Sequence, residues 1–229
     1  MTEAVAATTQ WITAGQFQDC AGVEDWRVVG DGVAACFRTG SLAAGARFVQ
    51  AATELDGVDQ HHPGLDLRSD AVTVRLVTRT GDRFGLSQRD VALARQISQL
   101  ARRQQLSADP SAVQSVHVTI DVLDRPQVAP FWRAVLGYTE RPGSGLELHD
   151  PHRRGPVFYF QQMEQPRPQR NRIHIDVWVP HDQAQPRVAA ALAAGGRLVS
   201  DAHAPAWWIL ADAEGNEACV AVRGEHLDL

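Results

Sequence analysis

A chain of 229 residues that is 44% hydrophobic and 21% charged has the balance of a folded protein with one large domain or two ordinary ones. Its formal net charge of −5 gives no overall attraction for nucleic acid, and no apolar run approaches the roughly 20 residues that cross a bilayer. All 22 basic residues are arginine, which excludes Schiff-base and P-loop lysine chemistry. The 3 cysteines, Cys20, Cys36 and Cys219, are too scattered for a disulfide framework or a structural zinc site. Residues 1–5 lack the basic start and apolar stretch of a signal peptide, so a cytoplasmic location is expected.

Two short alternating runs, Trp26-Arg27-Val28-Val29 and Val33-Ala34-Ala35-Cys36-Phe37, flank Gly30-Asp31-Gly32 and predict a hairpin. A helix follows over 42–55, with Phe48, Ala52 and Leu55 on one stripe. The alternation of residues 71–79 predicts a strand with Val72, Val74 and Leu76 on one side. Ser87-Gln88-Arg89-Asp90 has the spacing of a capping box, with Asp in place of the usual Glu or Gln. It opens a helix striped by Leu93, Ile97 and Leu100, and Asp90 reads as a first-turn carboxylate complementing the helix dipole. The polar, proline-closed stretch 102–112 divides this half from the next.

Between the first helix and the long strand stands Gln60-His61-His62-Pro63. Imidazoles exchange protons near neutrality. The proline fixes its own φ and biases His62 toward extended backbone at a turn into a strand. His61 and His62 are the first candidates for acid–base chemistry.

The second half repeats itself. Val116-His117-Val118-Thr119-Ile120-Asp121-Val122 is matched by Ile173-His174-Ile175-Asp176-Val177-Trp178-Val179, each with histidine in second place. Helices over 127–136 and 183–194 end at Gly137 and Gly195-Gly196, the expected C-caps. Strand-like pieces follow over 138–141, 146–149 and 157–162, and again over 197–200, 207–211 and 217–222. Two βαβββ units account for this pattern. Two histidines related by the repeat suit a divalent transition metal or a ligand-lined cavity. Trp178, Trp207 and Trp208 suit either stacking on a flat ligand or packing. His149, His152, Arg153 and Arg154 fall in an expected solvated loop.

The first half resembles the pterin-4a-carbinolamine dehydratases over residues 23–101. The resemblance rests on the helix before His61-His62-Pro63, the strand ending Val77-Thr78, and Gly85-Leu86-Ser87 followed by Asp90 and Leu93-Ala94. It implies dehydration of a 4a-hydroxytetrahydropterin, with His61 and His62 catalytic, Pro63, Thr78 and Arg79 at the pterin, and no cofactor required. The chain departs from the family pattern at Arg79, where the family has a third histidine, at Ser69, where an aromatic residue is usual, and at Gly57, often acidic there. Arginine has no accessible neutral form, so Arg79 cannot exchange a proton but can hold a carbonyl or an anion by a forked hydrogen bond.

The second half resembles the glyoxalase/bleomycin-resistance/dioxygenase (vicinal oxygen chelate) superfamily over residues 113–223. The markers are Phe131-Trp132, Leu136-Gly137-Tyr138, Asn171-Arg172-Ile173-His174-Ile175-Asp176 and Asp212-Ala213-Glu214-Gly215-Asn216-Glu217. The resemblance implies a possible divalent metal held by His117 and Gln161 in one unit and His174 with Glu217 or Cys219 in the other; many members use none. The expected fold is α+β: an N-terminal antiparallel sheet with helices on one face, over 10–105, then paired βαβββ units over 113–225. The expected activity is a hydro-lyase acting on a small pterin-like molecule, with neither nucleic acid nor membrane as partner, in a homo-oligomer. The alternatives are a silent pterin-fold joined to a small-ligand or resistance-type binding domain, and a metal-dependent lyase or dioxygenase in the second half.

Overall fold

The computed structural model describes residues 9–81, 83–141, 145, 147–166 and 173–222. Leu146, Asn171, Arg172 and Arg223, which figure in the strands and motifs above, lie outside them, as do residues 1–5. The chain forms two compact units, residues 1–115 and 116–229.

The first unit runs β1 (Trp11–Ile12), α1 (Ala14–Gln18), β2 (Arg27–Val29), β3 (Gly32–Arg38), α2 (Leu42–Thr53), α3 (Val58–His61), β4 (Gly64–Leu67), β5 (Ala71–Leu76), β6 (Thr78–Thr80), β7 (Arg83–Ser87), α4 (Gln88–Arg103) and β8 (Ser107–Ala108). One antiparallel sheet has the order β2-β3-β5-β4, with β8 paired to β3. The hairpin around Gly30-Asp31 forms with Val29 opposite Gly32. The strand expected over 71–79 divides. Pairing between β3 and β5 ends at Val33 and Leu76, so later residues find no partner there, and β6 joins β7 in a small sheet of order β1-β7-β6. The core lies between the larger sheet and helices α2 and α4: Phe37, Phe48, Val72, Val74, Leu76, Val91 and Ile97 are fully buried. Within it the Phe37 and Phe48 rings lie 5.3 Å apart, and the Trp26 indole donates to Ser98 Oγ at 3.0 Å. The polar stretch after α4 is tied down, since β8 pairs with Phe37 and Arg38 and the Arg38 guanidinium donates to Asp109.

The second unit runs β9 (His117–Val122), α5 (Arg125–Leu136), β10 (Thr139–Glu140), β11 (Glu147–His149), β12 (Val157–Gln162), then β13 (Ile175–Trp178), α6 (Ala184–Ala193), β14 (Arg197–Ser200), β15 (Trp207–Ala211) and β16 (Glu217–Ala221). These are two βαβββ units. Their sheets have the orders β10-β11-β12-β9 and β13-β16-β15-β14, with the first and last strands of each unit paired in parallel. Both helices pack into one shared core around Trp132, Phe131, Phe158, Phe160 and Leu210.

Two carboxylates of the turn between β15 and β16 fix this unit. Asp212 is fully buried and accepts from the Trp132 indole at 2.9 Å, from the backbone N–H groups of Glu214 and Asn216, and from the Asn216 side chain. Glu214 accepts the backbone N–H groups of Leu123 and Asp124, clamping the entry to α5. The buried Asp150 plays the matching part in the first repeat, accepting N–H groups of His152, Arg154 and Gly155. The basic loop after β11 is thus organised around a buried acid.

Candidate functional site

The His-His-Pro run sits at the end of a helix one turn long. Gly57 enters α3 with φ of +82°, and His62 leaves it with φ of +55° and ψ of +61°. His62 is therefore left-handed rather than extended. Proline at 63 disfavours the right-handed helix at 62, while the His62 N–H still donates to Val58 O at 2.9 Å. The left-handed residue satisfies both demands at a strain of about 1–2 kcal/mol. The turn sends the two imidazoles to different environments. His62 is exposed, and half-buried Pro63 leads straight into β4. The His61 side chain is 3% exposed.

The His61 ring meets Asp90. Nε2 lies 2.8 Å from Asp90 Oδ1. Asp90 Oδ2 accepts from Thr78 Oγ1 at 2.6 Å, from the Ser87 N–H at 2.7 Å and from Ser87 Oγ at 3.1 Å. Thr78 and Ser87 hydroxyls are themselves 2.6 Å apart. Every partner of the carboxylate is a donor, so His61 carries its proton on Nε2 and leaves Nδ1 as the free ring position. That Nδ1 is buried and finds no hydrogen-bond partner among the described residues. Burial alone pushes the Asp90 carboxyl up, but hydrogen bonds from His61, Thr78 and Ser87 outweigh it and hold it below the ordinary carboxylate range. The same Ser87 and Asp90 form the capping box of α4, with Ser87 Oγ accepting the Arg89 N–H. Asp90 is thus the first-turn carboxylate read from the sequence and also the partner of His61. The second duty had a faint signal: a short Asp at the third helical position, a dozen residues after Thr78.

Of the other predicted site residues, Thr78 joins this network. Arg79 follows it on the opposite face of β6, because side chains alternate along a strand. Its guanidinium carbon lies 5.1 Å over the Phe84 ring centre. The structure therefore brings His61, Thr78 and Asp90 together and places Arg79 against Phe84.

In the second unit His117 and His174 are both exposed, and Glu217 is half-buried. His174 Nδ1 is engaged 2.9 Å from Asp176 Oδ1. Asp176 stands opposite Cys219 in the β13–β16 register. Burial, then the Asp176 charge and hydrogen bond, push the Cys219 thiol up to about 11. Gln161 is exposed on β12 opposite Asp121. Among the described residues no three His, Cys, Asp or Glu side chains converge as a metal-holding group. His117, His174, Glu217 and Cys219 are thus not gathered into a metal-holding group. Of the three tryptophans, Trp178 is 47% exposed, Trp207 stacks on His203 at 4.2 Å, and Trp208 packs on the core.

The second unit does hold a cavity of about 690 Å³, lined by Ile120, Asp121, Trp132, Met163, Ile175 and Glu217 among others. Its walls combine apolar side chains with a few polar groups, the usual make-up of a small-molecule site.

Comparison with known proteins gives two family matches. Residues 10–100 match the model described as pterin 4 alpha carbinolamine dehydratase, and residues 117–221 match the glyoxalase-like domain. A protein of Nocardia farcinica (strain IFM 10152), provisionally named pterin-4-alpha-carbinolamine dehydratase, is 37% identical over 78 residues, covering 34% of this chain and 80% of its own. One of Cyanothece sp. (strain PCC 7425 / ATCC 29141), with the same provisional name, is 36% identical over 78 residues, covering 34% and 78%. Among solved structures, a glyoxalase-related enzyme from Fulvimarina pelagi is 19% identical with a TM-score of 0.39, covering 48% of this chain and 89% of that one.

Proposed function

The chain belongs to the pterin-4-alpha-carbinolamine dehydratase family through its first unit, with a glyoxalase-like domain fused behind it, and on that footing we propose that it dehydrates a 4a-hydroxytetrahydropterin to the quinonoid dihydropterin. His62 donates a proton to the 4a-hydroxyl. The N5 lone pair closes the C4a–N5 double bond as the C4a–O bond breaks and water departs, and the N5 proton then passes through solvent water to His62, restoring the proton it gave. His61 is a positioning residue: Asp90 locks its ring and tautomer, and the rigid ring sets the turn that presents His62. The observation that supports this reading is the buried His61–Asp90–Thr78–Ser87 network, with an exposed histidine next in the chain.

A positioned acid–base group contributes typically about 10²–10⁴-fold. His62→Ala is expected to lower kcat for dehydration by that factor in a direct spectrophotometric assay of 4a-hydroxytetrahydropterin. Wild-type protein that gives no acceleration overturns the proposal. On the same reading the protein acts in the cytoplasm as a homo-oligomer, an assembly that light scattering of the purified chain detects.

The cavity of the second unit favours a second role beside the first, the binding of a small molecule without metal. Elemental analysis of untreated protein that finds a stoichiometric transition metal, lost in His174→Ala, overturns the metal-free part of this reading.

A further inference from the structure

One face of the small β1-β7-β6 sheet leads outward from the Asp90 network. Side chains alternate along β7, so Arg83, Gly85 and Ser87 share a face and Phe84 and Leu86 take the other. The registers Trp11–Ser87, Thr78–Gly85 and Thr80–Arg83 put Trp11, Thr78 and Thr80 on the face of Arg83. Leu86 and Ile12 enter the core, which fixes the orientation of the opposite face. Exposure rises steadily along it. Ser87 and Thr78 are buried, Gly85 and Trp11 are half-buried, and Arg83 and Thr80 are exposed.

Trp11 and Arg83 form a built pair on this face. Gly85 has φ of +156°, and a Cβ there would come 3.5 Å from the Trp11 ring. That contact is ordinary, so glycine here serves the backbone conformation, which other residues rarely adopt. The Arg83 guanidinium carbon sits 4.3 Å from the centre of that indole. Stacking uses the flat face of a guanidinium and leaves its in-plane N–H groups to bond an oxyanion. Arg38 and Arg75 of the same unit spend those groups on Asp109 and Asp31. No hydrogen bond or ion pair joins the Arg83 side chain to another described residue. Four residues of extended strand separate Arg83 from Ser87, whose N–H and hydroxyl bond Asp90, a span of roughly 13 Å.

Resting on the dehydratase reading, we propose that Arg83, held over the Trp11 ring, is a specificity subsite for an anionic substituent on the pterin. The preferred substrates are pterins whose side chain ends in a phosphate or carboxylate, with the ring at His62 and the oxyanion at the guanidinium. Forked oxyanion recognition suits arginine better than lysine.

The test measures Kd by titration of the full-length protein with three probes: 6-hydroxymethyl-dihydropterin, its phosphate ester, and 6-carboxypterin. Wild-type protein is expected to bind the phosphate ester about tenfold more tightly than the alcohol at low salt, with the preference shrinking in 0.5 M salt. Arg83→Gln should bring that ratio to about one, and Arg83→Lys should restore part of it. Arg47→Gln, which removes an exposed charge of α2, should leave the ratio unchanged. A carboxypterin preference without a phosphate preference narrows the oxyanion to a carboxylate. Equal binding of all three probes by wild type, or a preference that survives Arg83→Gln, overturns the subsite alone. Failure of the alcohol to bind at all, with no dehydration, overturns the dehydratase reading with it.

Discussion

Asp90 serves two structures with one carboxylate. It is fully buried, a setting that costs several kcal/mol for an unpaired charge. Four donors offset that cost: His61 on one oxygen, and Thr78 with the N–H and hydroxyl of Ser87 on the other. Asp90→Asn keeps the shape but sets an amide N–H₂ against groups that are themselves donors. The expected loss is about 1–3 kcal/mol of stability, read by urea unfolding. A fall in kcat larger than any change in KM should accompany it, because His61 loses its fixed tautomer. The pH dependence has a defined sign. The folded carboxyl lies below its unfolded value near 3.8, so its contribution is complete above that pH and disappears as pH falls through the folded value. Unfolding midpoints measured from pH 6 down to pH 3 should therefore drop for the wild type and change less for Asp90→Asn.

The short helix α3 shows how an element's ends set chemistry. It has left-handed residues on both sides, Gly57 and His62. At Gly57 a side chain would meet nothing within 4 Å, so glycine there serves backbone conformation alone. At His62 the chain uses a histidine where glycine would be free of strain. His62→Gly is expected to remove dehydration while changing stability favourably by up to about 1 kcal/mol, measured as a raised thermal midpoint. A lowered midpoint would mean that the imidazole has a structural duty. The α4 cap ties the other wall of the site to its helix. Ser87→Ala removes the acceptor for the Arg89 N–H and a donor to Asp90, and is expected to cost about 0.5–2 kcal/mol in the same measurement.

The whole chain is two units with separate cores, and the second is itself a duplication sealed by buried acids. Trp132→Phe keeps an aromatic ring but leaves a small buried void and strips Asp212 of its indole donor; about 1–3 kcal/mol of destabilisation in urea unfolding is expected. Much of this architecture was legible in the amino-acid order. The hairpin at Gly30-Asp31, the cap at Ser87, the doubled strand–helix–three-strand pattern and the α+β class all follow from local periodicity and turn chemistry, which neighbouring residues alone impose. So does the pairing of His61 and His62 with proline. What the order of residues left open depends on groups far apart in sequence. One exception is local: the choice between extended and left-handed backbone at His62 rests on its hydrogen bond to Val58, four residues earlier, set against the bias of Pro63. The break after Leu76 depends on where β3 runs out of partners. The second duty of Asp90 needs His61, 29 residues earlier, to be folded onto the start of α4. Asp212 and Glu214 form a family-like motif in the sequence, and only the fold puts Trp132 and the α5 entry against them. Local spacing thus marked the His-His-Pro run as a candidate for acid–base chemistry, while long-range hydrogen bonding, which carries no signal in local spacing, decided that His61 is buried with Asp90 and His62 is exposed.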